Sequence, residues 1–130
     1  MRVEGAGVSK SQWIWMPHAA HFIGSSSCQF HLATYVNGYV VSTIGDYYNR
    51  AGKRDTVATG YHYETMVFRA IPMDPTTDQC CPYEADNECL ARGLYNTGED
   101  ARLGHMALCE KYDQIVDDAA PVATTDGERG

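Results

Sequence analysis

The stretch "GHMALCEKY", residues 104–112, puts His105 and Cys109 four residues apart. On a helix that spacing stacks two side chains on one face, one turn apart. Zinc accepts an imidazole nitrogen and a thiolate sulfur together, and H-x3-C on a helix makes half of a tetrahedral site. Three more cysteines precede it: Cys80, Cys81 and Cys89, giving the combined spacing C-C-x7-C-x15-H-x3-C. Four ligands can be drawn from these five residues. Adjacent cysteines usually point apart, so one of Cys80 and Cys81 is expected to join. The competing reading is an ordinary buried histidine beside a buried thiol, because free cysteines are common in cores.

A second set lies in "HAAHFIGSSSCQFH", which spaces His18, His21, Cys28 and His31 as H-x2-H-x6-C-x2-H. It suits a second metal site, or an open three-nitrogen site from His18, His21 and His31 that activates water for hydrolysis. The spacing is not a signature, and surface or partly buried imidazoles would account for it equally. Cys28 with His31 or His21 could also form a nucleophile–base pair. Glu64, near His62, could act as a base beside a metal-bound water. The chain lacks G-x-G-x-x-G, Walker A, H-E-x-x-H, G-x-S-x-G and the zinc-deaminase pattern.

Bulk properties narrow the classes further. With 130 residues and 44% apolar content, one small globular domain is expected. An odd number of cysteines, five, behind an N-terminus without the apolar core of a secretory signal, argues for metal binding over a disulfide framework. No apolar run is long enough to span a membrane. Charge is uneven: residues 1–73 carry a net +2, and residues 74–130 a net −9. An acidic chain is a poor general nucleic-acid binder. The one basic cluster, Arg50, Lys53 and Arg54 in "NRAGKR", is expected to be a solvated loop rather than a phosphate contact.

The elements that must position these groups are legible in part. Residues 1–12 read as an arm, 13–116 as a single zinc-stabilised domain, and 117–130 as an acidic tail. Trp13 and Trp15 suit a short extended segment with both rings on one face, stopped by Pro17. In "FHLATYVNGYVVSTIGDY" two β-rich runs flank Asn37-Gly38, the pair that supplies the positive φ angles of a type I′ turn. The register that follows sets Val36 opposite Tyr39, Thr34 opposite Val41 and Leu32 opposite Thr43. Both faces of that hairpin, 30–44, carry apolar residues, so both are expected to be covered. Residues 45–60 read as a polar connection and 61–71 as a third strand. Residues 72–98, with three prolines, many acids and three cysteines, read as a long loop that needs a metal to hold it. Thr97 is a plausible N-cap for a helix over 97–116, in which Ala101, His105, Leu108, Tyr112 and Ile115 recur as a buried stripe. Gly104 within it hints at close packing. The fold class is therefore α+β: a small antiparallel sheet, a C-terminal helix and a zinc-stapled loop.

Three phrases, "CQFHLATYVNGYVVSTIGDY", "YETMVF" and "GHMALCEKY", together resemble a set of small uncharacterised proteins encoded by phages and prophages. The resemblance covers residues 13–112 and implies a viral setting, in the cytoplasm of a host bacterium or on the virion, with no established activity. A longer segment between the hairpin and "YETMVF" belongs to that pattern and is missing here. The leading expectation is a non-enzymatic, zinc-stabilised accessory or virion-associated protein. It would act through contacts with a phage particle, a host factor or further copies of itself. The rivals are a metal-dependent hydrolase at His18, His21 and His31, and a nucleic-acid-binding accessory factor using Arg50, Lys53 and Arg54.

Overall fold

A computed structural model describes residues 12–18, 21, 27–74, 76 and 81–115. Residues 1–11 of the expected arm (1–12), Cys80 and the acidic tail (117–130) lie outside the described residues. The described chain is α+β. Six antiparallel strands form one sheet, and one C-terminal helix packs on it. The strands are β1 (Ile14–Met16), β2 (Cys28–Val36), β3 (Tyr39–Tyr48), β4 (Arg54–Asp55), β5 (Tyr63–Pro72) and β6 (Tyr83–Tyr95). The main path runs β1-β2-β3-β5-β6, and β4 pairs with the end of β3. Among the described residues no helix is long and apolar enough to cross a membrane.

The hairpin forms as its turn chemistry requires. Asn37 (φ 53°) and Gly38 (φ 88°) both take positive φ, and Val36 opposite Tyr39, Thr34 opposite Val41 and Leu32 opposite Thr43 are the observed partners. Asn37 does a second job: its side-chain amide donates to the carbonyls of Tyr112 (2.9 Å) and Ile115 (2.8 Å). The turn thereby caps the end of the helix, where carbonyls otherwise lack partners.

The expected helix is α1 (Gly98–Asp113), with the Thr97 hydroxyl accepting from the Asp100 amide as N-cap. Its buried stripe, Ala101, His105, Cys109 and Tyr112, lies on one face of the sheet. There Val36, Tyr39, Val41 and Val67 meet Cys109 and Tyr112, with Trp13, Leu90, Ala91 and Leu108 packed around them. Gly104 allows the approach, since a Cβ there would overlap the Tyr95 ring. The opposite face is covered too. Ala33, Val40, Ser42, Ile44, Glu64 and Phe68 are all buried, and cross-strand pairing puts them on the side away from the helix.

Two expectations need correction. The polar connection 45–60 is not loop throughout: β3 continues to Tyr48 and pairs with β4. More consequentially, residues 72–98 do not form a long loop. Thirteen of them, Tyr83–Tyr95, are the edge strand β6. It pairs along the whole of β5, with register shifts between Val67 and Ala70. Its acids (Glu84, Asp86, Glu88) imitate a loop in composition. Charges and bulges are also what edge strands use to avoid pairing with stray chains. The strand is held by its ladder and by Leu90 and Ala91 against the core, so its order needs no metal staple.

Candidate functional site

The C-terminal set of expected ligands is only partly brought together. His105 and Cys109 do share the inward face of α1, and neither is exposed. Both ring nitrogens of His105, however, are already engaged. Nε2 lies 2.8 Å from the Thr34 hydroxyl and Nδ1 lies 2.6 Å from the Thr43 hydroxyl, which is itself 2.6 Å from that of Thr65. A neutral imidazole has one N–H and one lone pair, so the chain of hydroxyls runs in one direction through the ring and uses both. Trp15 stacks on the imidazole with ring centroids 5.6 Å apart. Burial alone pushes His105 down to about 4, and it pushes the Cys109 thiol up to about 12. Cys109 is a protonated core thiol rather than a thiolate.

The other members are elsewhere. Cys89 donates its S–H to the Ala91 carbonyl (3.1 Å), on the strand that replaces the expected loop. Cys81 is in a disulfide, whereas Cys28, Cys89 and Cys109 are free. Among the described residues no three of His, Cys, Asp and Glu gather as a metal-holding group.

The N-terminal set also separates. His18 and His31 are exposed. Cys28 is buried at the start of β2, where burial raises its thiol. His21 alone turns inward, onto the sheet face opposite the helix. Its Nδ1 lies 2.8 Å from the Ser42 hydroxyl, and its Nε2 faces Glu64 Oε1 at 3.4 Å. Glu64 Oε2 accepts from Arg92 Nε at 2.6 Å. The side chains of His21 and Glu64 are each 7% exposed, while that of Arg92 is 53% exposed. Nε2 is within ion-pair reach of the carboxylate but makes no aligned hydrogen bond and has no other partner. Distance and alignment thus disagree, and the alignment decides that no ordinary hydrogen bond is made. Burial lowers the His21 pKa, against the Glu64 carboxylate, which raises it.

The basic cluster divides as well. Arg50 and Lys53 are exposed around the turn between β3 and β4. Arg54 is committed to Asp46 (2.7 Å) and reaches the Tyr63 hydroxyl (3.3 Å).

Spacing arguments overlooked Ser42, Thr34, Thr43, Thr65 and Arg92, and connected Glu64 only with His62. The available signal was a polar residue in the middle of an apolar strand, as in "VVSTI" and "YETMVF". Such a residue must find a buried partner. No family model matches the chain, no curated protein matches it, and no solved structure does.

Proposed function

We propose that the protein is a non-enzymatic binding protein that takes up an extended segment of another protein along the free edge of its sheet. The observation that carries this reading is β6. It is thirteen residues long, stands at the end of the sheet path and, among the described residues, pairs only with β5. An unpaired strand edge presents backbone donors and acceptors that another strand can satisfy. The register shifts confine regular pairing to two stretches, Tyr83–Ala85 and Ala91–Tyr95. Exposed Glu84 and Glu88 flank that edge, which favours a segment carrying Lys or Arg. The histidine and cysteine on the helix face are enclosed and internally partnered, which supports binding over catalysis. The resemblance of three sequence phrases to small phage proteins supports a partner on the virion or in the infected host.

A ten-residue peptide of alternating Lys and Val is the direct probe. Amide hydrogen exchange across Ala91–Tyr95 should slow at least tenfold when it is added. The effect should vanish with the same peptide N-methylated at every residue, which cannot donate to a ladder from either edge. Unchanged exchange in β6, or equal protection by an alternating Glu–Val peptide, would refute the reading.

A further inference from the structure

A row of polar side chains on the sheet face away from the helix leads to the edge strand. With its proton on Nε2, His21 accepts from the Ser42 hydroxyl at Nδ1 (2.8 Å) and turns Nε2 towards Glu64 Oε1 (3.4 Å). Glu64 Oε2 in turn accepts from Arg92 Nε at 2.6 Å. Burying a carboxylate in the middle of a strand is expensive, and a well-packed apolar residue often stabilises as well or better. Stability alone does not account for Glu64, and the far end of the row supplies a reason. Arg92 stands in the regularly paired stretch Ala91–Tyr95 of β6, opposite Met66, and its side chain is half exposed. A guanidinium carries further N–H donors on its two terminal nitrogens. Those of Arg92 make no bond to any described residue.

We propose that Arg92 is the specificity residue of the β6 edge and selects an incoming segment that carries an Asp or Glu opposite it. The inference rests on the strand-addition reading above and names the side chain that reads the segment. Residues directly opposite each other on paired antiparallel strands have Cβ atoms about 4.5–5.5 Å apart, so a carboxylate there comes within reach of the free guanidinium nitrogens. Hydrogen bonds between those two groups are charge-assisted and can form in pairs. Glu64 is the positioning residue. It holds Nε, so part of the ordering of Arg92 is complete before the segment arrives. The other charges of the edge have the opposite sign. Exposed Glu84 and Glu88 lie eight and four positions before Arg92, up to about 26 and 13 Å away along an extended strand. The edge thus calls for Lys or Arg at one end and an acid at the other, which fixes the register of the segment as well as its composition.

The test uses the full chain and the ten-residue Lys–Val peptide. Each peptide position is replaced in turn by Glu and, separately, by Gln. Affinity is read from amide exchange across Ala91–Tyr95 over a range of peptide concentrations. At one position Glu should bind at least fivefold more tightly than Gln. That advantage should disappear in Arg92→Gln and fall by at least half in Glu64→Gln, while both variants bind the Gln-substituted peptide within twofold of the wild-type chain. If Glu is no better than Gln at any position while the Lys–Val peptide still protects β6, the role of Arg92 is overturned and the edge reading stands. An advantage that survives in Arg92→Gln has the same meaning, and one undiminished in Glu64→Gln removes Glu64 as the positioning residue. Absence of protection by every peptide overturns both readings. The scan on the wild-type chain decides for or against Arg92 even if a variant fails to fold.

Discussion

The two faces of the sheet each bury a histidine against hydroxyl groups, and they finish the job differently. Under α1, His105 spends both nitrogens on Thr34 and Thr43, and Thr65 extends the chain. On the other side, His21 spends one on Ser42 and leaves the second facing a carboxylate without a bond. The first arrangement is closed, because every donor and acceptor it uses is supplied from within the fold. The second is held by charge, through Glu64 and Arg92, as much as by hydrogen bonding. A fully satisfied buried network holds one packing arrangement in place, whereas His21 meets Glu64 through charge at 3.4 Å without an aligned hydrogen bond. Of the two sites that spacing suggested, the one with the stronger ligand pattern became core. The weaker one contributes His21 to an ion pair with Glu64 on the opposite face.

The largest expected effect tests whether the helix face is structural. His105→Ala removes a large buried side chain and takes one partner each from the Thr34 and Thr43 hydroxyls. A loss of about 3–5 kcal/mol is expected in urea unfolding. His21→Ala, which removes one hydrogen-bond partner of Ser42 and the ion pair with Glu64, should cost less than half as much. Equal losses would break the contrast.

Acid sharpens it next. The folded pKa of His105 is about 4, against 6.5 for a free imidazole, so the unfolded chain takes up the proton first as pH falls. The contribution is complete above about pH 6.5, declines through pH 4 and then levels off. About 3 kcal/mol is at stake. Urea midpoints measured from pH 7.5 to pH 4 should fall steeply in the wild-type chain and less steeply in His105→Gln. Parallel curves would mean that His105 is not the group responsible.

Gly104→Ala probes how closely the helix sits. Alanine favours a helix by about 1 kcal/mol, but here the added methyl overlaps the Tyr95 ring. A net loss of about 1–2 kcal/mol is expected in thermal or urea unfolding, and Tyr95→Ala in the same chain should remove the penalty for the methyl. Stabilisation by Gly104→Ala alone would show that the helix can lift. Smallest is Arg92→Ala. It deprives buried Glu64 of its guanidinium partner (2.6 Å) and should cost about 1 kcal/mol.

Local rules reached most of the frame. The Asn37-Gly38 turn specifies its own φ angles and so the pairing of β2 with β3. The Thr97 cap and the spacing of Ala101, His105 and Tyr112 define the helix and its buried side. Composition misled at Tyr83–Tyr95, where acidic residues that protect an edge strand look like those of a loop. Whether such a segment is ordered depends on β5 lying beside it, and β5 is distant in sequence.

The candidate sites divide along the same line. That His105 and Cys109 point the same way is a property of helical spacing, readable from residues 104–112 alone. That His105 arrives beside three threonines from three different strands, and is thereby closed to a ligand, is a property of how the helix lies on the sheet. Likewise, the turn dipeptide settles which side of its strand Ser42 occupies. The meeting of His21, Ser42, Glu64 and Arg92 is decided only when four separate segments pack, because hydrogen bonds and ion pairs act over a few ångströms in space and take no account of distance along the chain.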